Sequence, residues 1–337
     1  MVLYYRHFND CGGVPDEIRA YHKYNSEKVH EIVTSRFRIL RKVICSPETK
    51  FLFIGFFFLE YPLLWILCRI FKKEITIWPL GQLSDFSINR TLFPKSPIIS
   101  DLSTNESTNR PKPKLNHTKF FFIRLSKYII NCNKTCFWFF SEFERLHLST
   151  SFDKVKTFKR QLWVAQNNVK HYGKRSNLSQ KCVSRPTLLC WARLDVFTKG
   201  IDRFKEYTMS VNKRHRNFVN AICCGPFYAG DREILESTEN WTIIDTLKDE
   251  KKINFNDADF IVLFSRWDGF PRVLRESLRS EIPIIVSEET HFSEIINDFK
   301  VGIVVSDFSS DQNYDDLINF ELSKANFEGA LRLINEY

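Results

Sequence analysis

Continuous apolar runs alternate along the chain with segments whose apolar residues recur at helical spacing. Runs of strand length without a polar interruption are typical of strands that are covered on both faces in a parallel sheet. The clearest unit spans residues 258–287, ADFIVLFSRWDGFPRVLRESLRSEIPIIVS, which reads as strand, loop, helix and strand. Because strands and helices alternate in this way, we predict an α/β fold built on parallel sheets.

The same pattern gives the predicted bounds of the elements. Strands are predicted over residues 2–8, 51–57, 74–78, 162–165, 188–192, 218–223, 241–244, 260–264, 282–286 and 302–305. Helices are predicted over residues 14–24, 61–71, 201–209, 271–278, 292–297 and 314–337, the last with an interruption at Ser323.

The most apolar segment, residues 51–71, is long enough to span a bilayer. Glu60 and Pro62 lie at its centre, where a charge is costly and a helix would break. We therefore predict a buried strand, a turn and a buried helix here, with a transmembrane helix as the alternative.

Two changes in composition divide the chain of 337 residues, which is long enough for two domains with separate cores. Residues 96–118 contain few apolar residues and several Pro, Ser and Asn, so we expect a mobile loop inside the first domain. The polar run 171–185 is the natural linker. We predict an amino-terminal domain over residues 1–180 and a carboxyl-terminal domain over residues 181–337.

The formal net charge of +9 predicts a negatively charged partner: an anionic membrane surface, nucleic acid or a phosphate-bearing substrate. Nucleic-acid binding would interleave stacking aromatics with basic residues on one face. Most of the 32 phenylalanines lie instead in core-like runs, which disfavours nucleic acid. We assign the excess charge to an anionic membrane surface, with the protein docked peripherally through its first domain at the inner face of the membrane.

The nine cysteines are odd in number and form no CxxC pair. This spacing argues against a disulfide framework or a structural zinc site. Reduced thiols and a cytoplasmic location are the simpler interpretation. Met1 leads directly into a strand-like run, so we expect no signal peptide.

Two acids follow the predicted strand over residues 260–264: Asp268 in the loop and Glu276 in the next helix. Ligands of open α/β sheets bind at the carboxyl ends of the strands. A carboxylate only accepts hydrogen bonds, which suits the vicinal hydroxyls of ribose and sugars and repels phosphate. The alternative is that both acids are solvated surface groups.

Cations follow another predicted strand, since Arg193 comes after residues 188–192 and Lys199 precedes the helix that starts near residue 201. A guanidinium, an ammonium and the free N–H groups of a helix start all favour a pyrophosphate, although isolated surface charge would look the same. Gly12 and Gly13 follow the first strand and would let backbone approach a ligand closely, or form a plain turn.

The segments WARLDVFTKGID, CCGPF, DADFIVLFSRWDGFPRVLRES and IPIIVSEETHFSEIINDFKVGIVV together resemble the second domain of the group 1 glycosyltransferases, the retaining GT-B family often called family 4. The resemblance covers residues 186–305 and is fainter in the first domain, where it rests on Gly12-Gly13 and on the runs WPLG, SEFERL and QNNV. It implies two facing doubly wound Rossmann-like domains, a nucleoside diphosphate sugar as donor substrate, and neither a metal nor another cofactor.

The resemblance also implies roles for single residues. Arg193 and Lys199 would bind the diphosphate and stabilise the departing nucleoside diphosphate. Asp268 would bind hydroxyls of the donor sugar, and Glu276 those of the ribose. The predicted catalytic residues are thus Arg193, Lys199 and Asp268, and the predicted donor-binding residues are Gly12, Gly13, Gly225, Glu276 and Thr290.

Two positions depart from the family. Asp268 stands where glutamate is usual, so its shorter side chain predicts a different sugar or pose. Leu80 precedes Gly81 where a histidine is often found, which removes a polar contact. The leading hypothesis is a retaining glycosyltransferase that acts on a glycan or lipid-linked glycan in cell-surface polysaccharide synthesis; the alternative is a catalytically weak nucleotide-binding or scaffold subunit.

Overall fold

The computed structural model describes residues 1–7, 18–19, 21–23, 25–56, 58–79, 116–130, 135–139, 145, 157–160, 185–214, 216, 218–226, 241–244, 253–266, 268, 271–290 and 292–336. The chain divides into two compact units, Met1–Asn168 and Val169–Tyr337. The predicted domain boundary between residues 180 and 181 lies outside the described residues.

The first unit is built on one parallel sheet. Its described strands are β1 (Val2–Tyr4), β2 (Glu31–Val33), β3 (Lys50–Ile54), β4 (Glu74–Trp78), β5 (Thr135–Phe139) and β6 (Thr157–Arg160). They pair in the order β2-β1-β3-β4-β5-β6, and every pair is parallel. The helices with described bounds are α1 (Arg36–Cys45), α2 (Tyr61–Ile70) and α3 (His117–Ile130).

Both faces of this sheet are buried, as its continuous apolar strands predict. Successive strand residues point to opposite faces, so Phe53 packs with Trp65 and the other inward residues of α1, α2 and α3. Leu52 packs on the opposite face with Trp78 and Trp138. Full burial of an aromatic or aliphatic side chain of this size stabilises the fold by about 1.5–3 kcal/mol.

The apolar segment 51–71 forms a strand and a helix, as predicted. β3 ends at Ile54, and α2 starts at Tyr61 with Pro62 in its first turn. Glu60 between them accepts a hydrogen bond from the Tyr4 hydroxyl at 3.0 Å and lies 3.6 Å from Arg6 and 3.5 Å from Arg36. Among the described residues, no helix is long and apolar enough to cross a bilayer.

Some predicted bounds in this unit are wrong. β1 ends at Tyr4 rather than at residue 8, and α3 starts at His117, inside the predicted loop 96–118. The strand that follows β5 is β6, whereas the predicted strand 162–165 lies outside the described residues. β6 pairs with β5 at the end of the sheet order, and three of its residues are polar, so no apolar run marks it.

The second unit is also built on one parallel sheet. Its described strands are β7 (Thr187–Trp191), β8 (Asn220–Cys224), β9 (Trp241–Ile244), β10 (Phe260–Leu263), β11 (Ile284–Ser287) and β12 (Gly302–Val305). Its helices with described bounds are α4 (Val196–Lys199), α5 (Ile201–Arg214), α6 (Arg272–Arg279), α7 (Ser293–Asp298), α8 (Gln312–Ile318) and α9 (Phe327–Glu336).

The strand order of this sheet is β12-β11-β10-β7-β8-β9, with every pair parallel. The chain runs outward from β7 through β8 to β9, and then outward in the other direction from β10 to β12. The neighbours β7 and β10 therefore flank the topological switch point, where doubly wound sheets bind their ligands. The unit has the order of a Rossmann fold.

The carboxyl-terminal helices close the core of the second unit. The predicted helix 314–337 is interrupted at Ser323 as expected: α8 ends at Ile318, a 3-10 turn covers Leu322–Lys324, and α9 follows. Ala330 and Ile334 of α9 pack in one cluster with Leu274 and Leu278 of α6.

Candidate functional site

The predicted site residues of the second unit all lie after strands near the switch point. Arg193 and Lys199 follow β7, Gly225 follows β8, Asp268 follows β10, and Thr290 follows β11. Glu276 lies in α6, between β10 and β11. Since the carboxyl ends of parallel strands share one edge of the sheet, the fold brings the residues that follow β7, β8, β10 and β11 to that edge.

Arg193 is held by Asp195, an acid that was not predicted as a site residue. Its Nη2 lies 3.1 Å from Oδ2 of Asp195, a fully buried residue. The other carboxylate oxygen of Asp195 accepts the backbone N–H of Thr198 at 3.0 Å and caps α4. The guanidinium of Arg193 is half-exposed, so Asp195 orients a cation that solvent-borne anions can reach.

Lys199 and Asp268 form a direct ion pair. Only 20% of the lysine side chain and 15% of the aspartate side chain are exposed. The structure thus joins a residue predicted for the diphosphate to one predicted for the sugar, across the switch point between β7 and β10.

Gly200 fixes the turn between α4 and α5. Its φ of +63° lies in the left-handed region that favours glycine. A β-carbon at this position would lie 2.1 Å from the carbonyl oxygen of Phe264, which directly follows β10. The absence of a side chain therefore lets the start of α5 pack on the end of β10.

Arg266 is a further residue of this edge that sequence reasoning missed. Its guanidinium donates to both carboxylate oxygens of Asp202, at 2.8 and 2.6 Å, and to the carbonyl of Val196 at 2.8 Å. Its backbone N–H donates to the carbonyl of Thr198 at 2.9 Å. Arg266 therefore ties the segment after β10 to both α4 and α5. A cation three residues after a strand, with an acid at the second position of an earlier helix, was the available signal.

Gly225 lets the chain after β8 approach the chain after β7. A β-carbon there would lie 1.8 Å from the carbonyl oxygen of Ala192, the residue before Arg193. The Gly225 N–H donates to the carbonyl of Ile244 at 3.0 Å. In the structure Gly225 thus supports the backbone that carries Arg193.

Glu276 and Thr290 are both buried and have partners of their own. Glu276 Oε1 lies 3.5 Å from Arg272 Nη2, one helical turn earlier in α6. The Thr290 hydroxyl donates to the carbonyl of Ser287, and the Thr290 carbonyl accepts the N–H of Ser293 at 3.0 Å. Thr290 therefore closes the turn that connects β11 to α7.

The predicted residues of the first unit, Gly12 and Gly13, lie outside the described residues, as does Leu80. At the carboxyl edge of the first sheet the structure describes Tyr4, Arg6, Arg36 and Glu60. Burial, assisted by the hydrogen bond to Glu60, raises the pKa of the Tyr4 phenol, which therefore stays protonated. Within the described ranges, no group of three or more His, Cys, Asp or Glu residues could hold a metal ion.

Residues 174–335 match the sequence profile of the family described as "Glycosyl transferases group 1". This match includes the predicted span 186–305 and extends it in both directions. Comparison with curated protein sequences found no match.

Solved structures are similar to nearly the whole chain. Sucrose-phosphate synthase from Thermosynechococcus elongatus has 12% identity and a TM-score of 0.65, and the match covers 99% of this chain and 93% of that one. HepE of Anabaena, in complex with UDP and glucose, has 11% identity and a TM-score of 0.62, covering 99% and 94%. WaaG, a glycosyltransferase involved in lipopolysaccharide biosynthesis, has 12% identity and a TM-score of 0.61, covering 100% and 96%.

Sucrose-phosphate synthase and WaaG are GT-B glycosyltransferases, and the two parallel-sheet α/β units of this chain match theirs. The predicted fold class is confirmed by this likeness. The protein has the GT-B fold, and residues 174–335 match the family of the group 1 glycosyltransferases.

Proposed function

We propose that the protein transfers a sugar from a nucleoside diphosphate sugar to a glycan or lipid-linked glycan acceptor, with retention of configuration, in cell-surface polysaccharide synthesis. One observation carries the proposal: Arg193 and Lys199 after β7 and Asp268 after β10 share one edge of a Rossmann-order sheet, in the part of the chain that matches the group 1 glycosyltransferases. Such a donor has an anionic diphosphate and two hydroxyl-bearing rings. The complex of HepE with UDP and glucose supports a donor of this class.

The cations would act on the leaving group. Negative charge develops on the nucleoside diphosphate as the glycosidic bond breaks, and fixed positive charge near that point lowers the barrier. Arg193 offers a half-exposed guanidinium, and Lys199 an ammonium next to the start of α5. We propose that these groups make a divalent metal unnecessary, so that chelation with EDTA leaves the transfer rate unchanged.

Donor binding would exchange the partners of Lys199 and Asp268. A diphosphate oxygen would take the place of Asp268 beside Lys199, and the released carboxylate would accept hydrogen bonds from sugar hydroxyls. Neither charge would be left buried and unpaired during this exchange, which avoids the largest desolvation cost.

Glu276 would bind the ribose. Its carboxylate is buried, so water competes little for its lone pairs, and Arg272 at 3.5 Å compensates its charge. A vicinal diol presents two O–H donors to the two carboxylate oxygens. Ribose recognition would therefore depend on Glu276 rather than on the more exposed residues of the edge.

Calorimetry with nucleoside diphosphates tests these assignments. Arg193→Ala and Glu276→Ala are each expected to weaken binding by about tenfold or more, the effect of losing a hydrogen bond to a charged group. Arg214→Ala is the matched control, because Arg214 is an exposed arginine paired with Asp315. Unchanged affinity in the first two variants would refute their roles.

A thermal-shift screen of nucleoside diphosphate sugars would identify the donor, because selective binding to the folded state raises the unfolding temperature. Transfer to candidate acceptors then separates an enzyme from a nucleotide-binding subunit. The shorter carboxylate of Asp268 and its closed pair with Lys199 favour this second candidate, which would bind the donor without turnover. The anomeric configuration of the product, read by NMR, tests retention.

We also propose a cytoplasmic location. The described cysteines form no disulfide with one another: Cys45, Cys68, Cys136, Cys190, Cys223 and Cys224 are free thiols. Free thiols are typical of a reducing compartment. Labelling of a tagged full-length protein in fractionated cells would test this location.

A further inference from the structure

The helices α1, α2 and α3 form one layer on the first sheet. Ile39 of α1, Trp65 of α2 and Phe122 of α3 belong to the same core cluster, and α2 contacts both of its neighbours. Their opposite sides therefore lie on one surface of the first unit. We call this surface the outer helical face and define it by the exposed residues of α1, of residues 59–73 and of α3.

Large apolar side chains are exposed on the outer helical face. Phe37 is 84% exposed, Phe121 67% and Tyr128 81%. The others are Ile44, Leu59, Leu63, Ile66, Ile70, Phe71 and Phe120. Isolated exposed apolar residues are ordinary, but a set of this size on one helical layer marks an interaction site.

The exposed residues of this face recur at the three- and four-residue intervals of a helix. On α2, Leu63, Ile66 and Ile70 recur at intervals of three and four, on the side opposite the buried Trp65. On α3, Phe121, Arg124 and Tyr128 do the same. Each helix is thus apolar on its buried side and carries mixed apolar and basic residues on its outer side.

Residues 36–45, 61–73 and 117–130 of this face carry only positive charges. Glu60, directly before the second of these segments, is mostly buried and pairs with Arg6 and Arg36. Residues 36–45, 61–73 and 117–130 contain no Asp or Glu, and their Lys and Arg residues are Arg36, Arg38, Arg41, Lys42, Arg69, Lys72, Lys73, Lys119, Arg124 and Lys127. Glu31 outside these segments pairs with Arg38 and Lys42 at 3.0 and 2.5 Å. In the described part of the chain, Arg41, Arg69, Lys72, Arg124 and Lys127 form no ion pair.

We infer that the outer helical face docks on an anionic lipid bilayer, with the three helices lying along the membrane surface. Phenylalanine, tyrosine and aliphatic side chains would enter the boundary between headgroups and acyl chains, and the unpaired cations would meet lipid phosphates. The long lysine and arginine stems can bury apolar carbons while their charges remain at the headgroups.

A second copy of the chain fits this face less well than a bilayer does. A symmetric dimer would bring the same patch of both copies together. Cations would then oppose cations, with no acid in the three helical segments to compensate them. Anionic headgroups supply the missing charge, and a fluid surface needs no matching pattern of side chains.

Flotation of the full-length protein with vesicles tests the inference. Vesicles of phosphatidylcholine mixed with phosphatidylglycerol should carry the protein at low salt, and vesicles of pure phosphatidylcholine should carry much less. Arg69→Gln with Arg124→Gln is expected to lower partitioning about 25-fold, or about fivefold per removed cation. Phe37→Ser with Phe121→Ser is expected to lower it at least about tenfold.

Two variants in the second unit are matched controls. Met209→Ser removes an exposed apolar residue of α5, and Arg332→Glu reverses an exposed charge of α9. Both should float like the unchanged protein. Circular dichroism would verify that the face variants, which alter exposed residues, remain folded.

Three results would overturn the inference: no flotation with anionic vesicles at low salt, equal flotation of all the variants, or sedimentation as a dimer that only the Phe37 and Phe121 changes dissociate. Flotation is measured without nucleotide. A failure to float would therefore not contradict the proposed transferase activity. A protein without transferase activity would not contradict membrane docking.

Discussion

Gly200 has two independent reasons to lack a side chain. Its φ of +63° is unfavourable for most residues, and the space of a β-carbon is taken by the carbonyl oxygen of Phe264, 2.1 Å away. Asparagine tolerates the left-handed region better than alanine does, but it keeps the β-carbon. The two substitutions therefore separate backbone strain from the close contact with β10.

We expect Gly200→Ala and Gly200→Asn to lower the free energy of unfolding by similar amounts, about 2 kcal/mol or more, because the contact with Phe264 outweighs the backbone term. Urea denaturation measures both. Lys300→Gly is the control: Lys300 is exposed with a φ of 54°, so glycine relieves strain there and should cost nothing. An asparagine variant as stable as the unchanged protein would contradict the contact.

Asp268→Asn separates nucleotide binding from sugar chemistry. The change removes the negative partner of Lys199, so the lysine becomes available to a diphosphate. We expect nucleoside diphosphate affinity to stay the same or rise, while transfer falls by about tenfold or more because sugar hydroxyls lose a charged acceptor. Calorimetry and a transfer assay measure the two effects. A weaker nucleotide affinity would show that Asp268 does not compete for Lys199.

The sequence predicted the positions of Arg193, Lys199 and Asp268 at strand ends, but not the partners of the charged residues at this edge. Arg193, Lys199 and Asp268 could be placed because each follows a recognisable strand. Asp195 and Arg266 follow the same two strands and were still missed, because their roles arise from contacts made on folding. The Arg266–Asp202 pair, for example, joins residues 64 positions apart.

At the scale of elements, uninterrupted apolar runs predicted strands well. The bounds of β4, β9 and β12 agree with the predictions to the residue. β6 was not predicted because Thr157–Arg160 contains a single apolar residue; among the described strands it pairs only with β5. Its pairing depends on backbone hydrogen bonds to a neighbour, which leave no periodic pattern in the sequence.

The contact of Arg266 with α4 and α5 is expected to stabilise the second unit. Only 8% of its side chain is exposed, and Arg266→Ala would leave Asp202 without its bidentate partner. We expect the free energy of unfolding to fall by about 2–4 kcal/mol. Arg266→Lys should recover little, because an ammonium cannot make the two parallel bonds.

Urea denaturation again gives the measurement, and Arg214→Ala is the control. Arg214 also contacts both carboxylate oxygens of its partner, Asp315, but on the surface. Exposed pairs contribute little, so this variant should be nearly as stable as the unchanged protein. Equal losses in the two arginine variants would show that burial does not set the strength of the Arg266 contact.

At the scale of the whole molecule, buried thiols make the free energy of unfolding fall as the pH rises into the alkaline range. Burial raises the pKa of Cys68 to about 12 and that of Cys224 to about 11. An unfolded thiol has a pKa of about 8.5. Because the folded pKa is higher, this contribution to stability is fully present below about pH 8.5 and is lost as the pH rises toward the folded value.

We expect the free energy of unfolding to fall by about 2 kcal/mol per buried thiol between pH values of about 7 and about 10. Cys68→Ala should be less stable near neutral pH, because it leaves a small cavity, yet lose less stability in alkali. Cys45→Ala changes an exposed thiol and should keep the full pH dependence. A pH profile of Cys68→Ala parallel to that of the unchanged protein would contradict the burial effect.

The ion pairs at the edge of the second sheet have a kinetic consequence. Arg193 pairs with Asp195, Lys199 with Asp268 and Arg272 with Glu276, so these six charges sum to zero. A neutral set of charges exerts little pull on an anion at a distance. We therefore expect the association rate of a nucleoside diphosphate, measured by stopped flow, to change little with salt. The donor would reach its site by diffusion without electrostatic steering. Its diphosphate would then replace Asp268 as the partner of Lys199.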